Sequence, residues 1–152
     1  MANYLALDVG RKRVGLSRGS DDLGVVLPMR VLSSMDRMSC LREVTKTVSE
    51  LKISVVVVGY PLNMDDSRGE MAEYVDKFVA ELKRLIGGDV AFVMFDERLT
   101  SVQAEADLQA MRGSKFESPK RKKKVRKSGI IDSNAAAIIL RDYFNELSLH
   151  TL

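Results

Sequence analysis

The stretch YLALDVGRKRVGLSRGS, Tyr4–Ser20, decides how this chain folds. YLALDV is a short apolar run of the kind buried on both faces of a sheet, and it is closed by Gly10. The polar turn GRKR follows, and VGLSRGS then reads as a second strand running back along the first. A third piece, LGVVLPMRVL, continues the meander, with Pro28 implying an edge position or a bulge. The chain therefore opens as three antiparallel strands.

Beyond the meander the period changes. Met38, Leu41, Val44, Val48 and Leu51 recur at helical spacing, which predicts a helix starting near Asp36. SVVVVG is a β-branched run closed by Gly59 and reads as a buried strand. YPLNMDDSRGE is a loop. Ser67 and Glu70 form a capping-box pattern before a helix that carries Met71, Val75, Phe78, Val79, Leu82 and Ile86 on one face and stops at Gly87-Gly88. VAFVMFDE is the next strand, with Met94 and Phe95 most simply core. Thr100 and Gln103 cap the helix SVQAEADLQAMR in the same way. A polar, charged linker, mobile when free, occupies about residues 113–129, and DSNAAAIILRDYFNEL closes the chain as a helix whose alanines suit close packing on a sheet. The order βββαβαβαα implies one α/β domain over 1–152, with a mixed five-stranded sheet: an antiparallel opening meander, then parallel strands joined by crossover helices.

Composition narrows the function classes. The chain has 152 residues, 45% of them apolar and 30% charged, enough for one domain with a real core. No apolar run approaches a membrane span, and MANYLALDVG does not read as a signal peptide. A single cysteine, Cys40, suits a reducing compartment, so a cytoplasmic protein is expected. With one cysteine and one histidine, His150, a zinc site is not expected; any metal would be a hard cation held by oxygen.

Charge is unevenly placed. The net charge is +3, yet Lys120, Arg121, Lys122, Lys123, Lys124, Arg126 and Lys127 supply seven cations in one run, leaving −4 for the rest of the chain. Such a run can be a nuclear-localisation-type address, a solvated face or a grip for phosphates. Its position just ahead of Ser128-Gly129 and Asp132 favours the grip.

Three acids sit at element ends: Asp8 after the first strand, Glu97 after VAFVMFDE, and Asp132 at the start of the last helix. Ligands of such sheets bind beyond the carboxyl ends of the strands, where side chains distant in sequence converge. Three carboxylates brought together stay ionised only if a cation neutralises them, and Mg²⁺ or Mn²⁺ is the natural choice. Two such ions about 4 Å apart could activate water and stabilise the leaving oxygen of a phosphodiester. Each acid also has a plainer reading: Asp8 as a turn residue, Glu97 as a surface charge paired with Arg98, Asp132 as a helix N-cap.

The segments around these acids are more specific. ALDVGRKRVGL, VVVGYPLNMDDSRGE, FDERLTSVQAE and KSGIIDSNAAAIILRDYF resemble, in that order from Ala6 to Phe144, the YqgF family, whose members are described as pre-16S rRNA nucleases and as Holliday-junction resolvases with a ribonuclease H-like fold. The resemblance implies that Asp8, Glu97 and Asp132 are the catalytic, metal-binding acids of a nuclease using Mg²⁺ or Mn²⁺ as a pair of ions. Asp8 would bridge the two. Asp96 is a supporting residue expected to point to the other face of its strand. Gly10 could let a phosphate backbone approach Asp8, or simply make a tight turn. Arg11, Lys12 and Arg13 could hold flanking phosphates, or be solvated. Asn63 could orient substrate or cap its loop, and Arg98 could position Glu97 or touch a phosphate.

The leading expectation is a metal-dependent endonuclease acting on structured nucleic acid, with precursor 16S rRNA the substrate the resemblance implies. A Holliday-junction resolvase, which needs a dimer, and a non-catalytic RNA-binding assembly factor are the alternatives. A monomer or weak homodimer is expected, with no membrane partner. An actin-like or sugar-kinase ATPase shares the D-x-G hairpin, but the chain lacks room for a second domain and has no P-loop pattern.

Overall fold

The computed structural model describes residues 2–22, 24–61, 69–96 and 130–150, with only the backbone described at 130–134 and 149–150. Five strands, β1 (Asn3–Val9), β2 (Arg13–Ser20), β3 (Val25–Ser33), β4 (Val55–Tyr60) and β5 (Ala91–Asp96), form one sheet in the order β3-β2-β1-β4-β5. Three helices are described: α1 (Arg37–Glu50), α2 (Glu70–Ile86) and α3 (Ile130–His150). β1, β2 and β3 pair antiparallel, and β1-β4 and β4-β5 pair parallel, as the expected mixed topology requires. The helix expected over SVQAEADLQAMR, with its Thr100–Gln103 cap, and the basic linker lie outside the described residues.

Pro28 is accommodated in both of the ways foreseen for it. β3 is an edge strand, and its pairing with β2 shifts register between Gly15 and Ser17, opposite Pro28. The missing N–H of proline therefore costs the ladder nothing at an interior position.

Side-chain alternation divides the sheet into two buried faces. Leu5, Leu7 and Val9 of β1, Val14 and Leu16 of β2, and Val56 and Val58 of β4 meet α1 and α2 in one aliphatic cluster around Phe78. Tyr4 and Ala6 of β1, Val57 of β4 and Phe95 of β5 meet Ala137, Ile139, Leu140 and Phe144 of α3 in the other.

The helices start and stop for identifiable reasons. Asp36 caps α1, its carboxylate accepting from the Ser39 N–H at 3.3 Å and from the Ser39 hydroxyl at 3.0 Å. α2 departs from the expected capping box: Gly69 is its N-cap, without a side-chain cap bond, so Glu70 opens the helix rather than closing a box with Ser67. Glu70 and Glu73 in the first turn and Lys83 and Arg84 in the last complement the helix dipole instead. Two hydrophobic assignments also change. Met38 is half exposed, because it falls in the first turn of α1, where Cys40 and Leu41 supply the buried face. Met94 is 39% exposed, since the inward positions of β5 on the α3 side belong to Val93 and Phe95.

Candidate functional site

Asp8 is the second-last residue of β1, half-buried, on the face that α3 covers, because Tyr4 and Ala6 alternate onto that face. Its partner across β2 is Gly15. On the other side Leu7 pairs with Val58, and extending that parallel ladder by one residue sets Gly59 beside Asp8. Gly59 in turn pairs with Phe95. The carboxylate thus stands between two positions that carry no side chain, at the carboxyl end of its strand.

The course of α3 brings its first turn to this place. The Ser17 hydroxyl donates to the Ala136 carbonyl at 2.8 Å. Two residues further along β2, a methyl group on Gly19 would lie 3.0 Å from Phe144 and 3.1 Å from Leu140. Tyr4, paired with Gly19, meets the Phe144 ring edge-on at 5.0 Å between centroids. The helix therefore runs from the Asp8 end of the sheet toward the Tyr4 end. Stepping back from Ser17 to Gly15 covers about 6.8 Å of strand, and stepping back from Ala136 to Asp132 covers about 6 Å of helix. The backbone of Asp132 accordingly lies at the height of the Asp8–Gly15 pair. Its side chain, and all of Glu97, lie outside the described residues.

Asp96 ends β5 opposite Tyr60. By alternation with Phe92, which packs on the α1/α2 cluster, it belongs to the opposite face from Asp8, as expected.

The hairpin tip behaves differently from a free cationic surface. The Gly10 N–H donates to the Arg13 carbonyl at 2.8 Å, and a Cβ on Gly10 would come equally close to that oxygen, so the tight-turn reading of Gly10 holds structurally. The Ser34 hydroxyl donates to the Gly10 carbonyl at 3.0 Å and the Ser34 N–H to that of Lys12 at 2.9 Å, tying the tip to the end of β3. Arg11 leans on α2: its Nε donates to the Met71 sulfur at 3.3 Å, it lies 3.5 Å from Glu70, and its guanidinium sits 5.9 Å from the Tyr74 ring centroid. Arg37 approaches the same ring at 5.4 Å while pairing with Glu81 at 3.0 Å. Arg11 is thus partly engaged in holding the hairpin to α2; Lys12 and Arg13, like Arg11, are exposed to solvent. Asn63, Arg98 and the run Lys120, Arg121, Lys122, Lys123, Lys124, Arg126 and Lys127 lie outside the described residues.

One residue near the site escaped the sequence reading. Gly15-Leu16-Ser17-Arg18-Gly19 has the spacing of a nucleophile elbow, but Ser17 is mid-strand and fully buried, its hydroxyl committed to Ala136. It is a structural hydroxyl and no nucleophile. The legible signal was the row Gly15, Ser17, Gly19: small residues at every second position mark a face approached closely by a helix.

The Asp8 carboxylate is a hard oxygen donor of the kind that Mg²⁺ or Mn²⁺ takes. The soft ligand Cys40 is buried against the other face, and burial pushes its thiol pKa up. His150 lies in the last turn of α3, at the end remote from Asp8. Among the described residues no three His, Cys, Asp or Glu side chains gather into a metal-holding group. No helix among them is long and apolar enough to cross a membrane.

This mixed five-stranded sheet with its helices is the α/β fold of the ribonuclease H-like resolvases. Thermus thermophilus RuvC bound to a Holliday junction substrate superposes with a TM-score of 0.59 at 13% identity, covering 97% of this chain and 96% of that one. The fowlpox virus resolvase in complex with its Holliday junction DNA gives 0.54 at 10% identity, covering 95% and 98%. At such identities the likeness concerns the fold alone.

Sequence relationships define the family. The profile described as "RuvX: Holliday junction resolvase" matches residues 2–146. A protein of Opitutus terrae named "Putative pre-16S rRNA nuclease" is 38% identical over 143 residues, covering 93% of this chain and 90% of that protein. A protein of the same name from Trichormus variabilis is 40% identical over 144 residues, covering 93% and 86%. The chain belongs to the YqgF (RuvX) family of nucleases. Nucleic acid is the class of partner this family relationship indicates.

Proposed function

We propose that this protein is a metal-dependent endonuclease that hydrolyses phosphodiester bonds in structured nucleic acid, and that it processes the 5′ end of precursor 16S ribosomal RNA in the cytoplasm. The observation that carries this reading is the setting of Asp8: a half-buried carboxylate at a strand end, flanked on its own face by Gly15 and Gly59, with the first turn of α3 at its height. Neighbours without side chains keep bulky groups from flanking the carboxylate, an arrangement that suits a group receiving cations and a phosphate and that a turn aspartate would not need. The names of relatives sharing more than a third of the sequence favour the RNA substrate.

Asp8, Glu97 and Asp132 would hold two Mg²⁺ or Mn²⁺ ions, which supply water activation and neutralise charge on the leaving oxygen. The chain's own work is then to hold and orient. Asp8 is kept in place by the ladders that pair β1 with β2 and β4. The exposed Lys12 and Arg13 at the hairpin tip, and the cations at 120–127, bind phosphates flanking the scissile bond, giving affinity and register with little sequence information.

A second reading, resolution of four-way DNA junctions, is favoured by the description of the family profile and by the resolvases that share the fold. An end-labelled cleavage assay separates the two. A precursor 16S leader and a four-way DNA junction are offered side by side with Mg²⁺, Mn²⁺ or chelator, to wild type and Asp8→Asn. Metal-dependent cutting of the RNA, lost in the variant, is expected. Cutting of the junction alone transfers the assignment to a resolvase, and binding without cutting in any metal transfers it to an assembly factor.

A further inference from the structure

Ser17 poses a physical question. It is completely buried in the middle of β2, between positions filled by Leu16 and Arg18, and a buried hydroxyl costs free energy unless it is hydrogen-bonded. Space does not require it. Its partner across β1 is Ala6, equally buried on the same face and packed against the same helix without a polar group. The hydroxyl is satisfied by reaching across to α3, where it donates to the Ala136 carbonyl at 2.8 Å.

What this bond supplies is axial register. Around this bond the contact between α3 and the sheet is built from small groups, Ala136 and Ala137 on the helix and Ala6 and Ser17 on the strands, while the larger Leu140 and Phe144 pack further along, against Gly19. Small residues allow close approach but offer shallow ridges, so they oppose sliding along the helix axis weakly. A directional hydrogen bond opposes it strongly, because its strength falls steeply with distance and angle. The equal steps from this bond to Gly15 and to Asp132, two residues of strand and four of helix, mean that the register it sets is the register of Asp132 against Asp8.

We infer that Ser17 is a positioning residue of the nuclease site, pinning α3 through Ala136 so that the backbone of Asp132 is held at the height of Asp8. This rests on the reading of those two acids as co-ligands of the same cations. Ser17 touches neither substrate nor metal and acts through the helix.

The test is binding of Mn²⁺ alone to the full chain, by isothermal titration at a temperature where circular dichroism shows each variant folded. Kd for nucleic acid in chelator and the melting temperature are measured in parallel. Ser17→Ala removes the hydroxyl, Ser17→Cys keeps its approximate size with a poor donor, and Ser17→Thr retains it. Asp8→Asn is the reference for loss of the site. The expected result is a weakening of Mn²⁺ affinity by about tenfold in the Ala and Cys variants, the low end for residues that orient metal ligands. Nucleic-acid affinity in chelator stays at the wild-type value, and the Thr variant recovers Mn²⁺ binding. Folded Ala and Cys variants that bind Mn²⁺ like wild type, while Asp8→Asn does not, overturn the role of Ser17 and leave the site intact. Wild-type Mn²⁺ binding in Asp8→Asn overturns the site itself, and the inference with it.

Discussion

The two faces of the sheet are packed by opposite means. On one, Leu5, Leu7, Leu16, Val44, Val56, Val58, Phe78 and Leu82 interlock as large aliphatic and aromatic groups between strands and the α1/α2 pair. On the other, Ala6, Ser17, Gly19, Ala136 and Ala137 bring one helix close to the middle of the sheet, and aromatic rings close its far end. Tyr143 meets Phe95 edge-on at 6.0 Å, and Tyr4 meets Phe144 edge-on at 5.0 Å. The first face is filled by large groups throughout; the second joins a close small-residue contact and one directional bond, from Ser17, to the large Leu140 and Phe144 further along. Stability and site geometry are thus assigned to different sides of the same strands, and β1 serves both, with Leu7 facing one way and Asp8 the other.

The largest expected effect comes from Asp8. Asp8→Asn keeps the size and removes the charge, so cleavage should fall to background while melting temperature changes little. A variant that still cuts with Mg²⁺ would break the assignment of chemistry to the α3 face. Phe78→Ala does the reverse. Its ring is fully buried at the centre of the other cluster, and truncation should destabilise by about 3–5 kcal/mol. Denaturant melts give that number, and the cleavage rate per folded molecule should remain near wild type well below the transition.

Gly19→Ala sharpens the comparison, being a small change on the close-packed face. Its Cβ would lie 2.6 Å from the Val25 carbonyl as well as against Leu140 and Phe144. The backbone cannot withdraw like a flexible side chain, so strand or helix must shift, at a cost of about 1–3 kcal/mol. Because α3 carries Asp132, activity per folded molecule should fall too, unlike in Phe78→Ala. Equal retention in both variants would show that the faces are not divided as described.

The degree to which each face could be read beforehand follows from the same contrast. Large residues at periods of 2 and 3.6 announce a core, so the five strands with their mixed pairing, the start of α1 near Asp36 and the buried stripe of α2 were all legible. The errors came where one residue decides locally: Met38 and Met94 have apolar side chains but positions that face water, and Gly69 caps α2 where a capping box was expected. Asp8 was legible as a strand-end acid. The contact of Ser17 with Ala136 was not, because it joins residues 119 apart in the chain and depends on where a helix comes to rest on a sheet. The engagement of Arg11 with Met71, Glu70 and Tyr74 was hidden for the same reason.

Charge separates the regions as well. On the α1 side, Arg30 pairs with Glu43 at 3.1 Å and Lys46 lies 3.8 Å from Glu50, so these cations are already matched by local anions. The run at 120–127 has seven cations and no acid within it. Replacing the seven with serine should weaken nucleic-acid binding and flatten its salt dependence, each lost phosphate contact removing about 0.7–0.9 from the log–log slope. Replacing Arg30 and Lys46 should leave the slope unchanged. An unaltered slope in the first variant would remove the run from the binding surface.

The smallest effect concerns the cap of α1, on the face assigned to stability. Hydrogen bonds from the Ser39 N–H and hydroxyl hold the Asp36 carboxyl below its ordinary pKa. A group depressed in the folded state stabilises above its unfolded pKa, about 3.9, and that contribution disappears as pH falls through the lower folded value. Asp36→Ala should therefore melt below wild type at pH 7, and the gap should narrow once the pH drops under about 4. Asp36→Asn keeps an oxygen acceptor without a charge, and at pH 7 should fall between the two. Nuclease activity at pH 7 should be unaffected by either change, because α1 packs on the side of the sheet that Asp8 does not face. A gap between Asp36→Ala and wild type that persists unchanged into acid would mean the carboxylate's charge contributes nothing to the cap, and that geometry alone starts the helix.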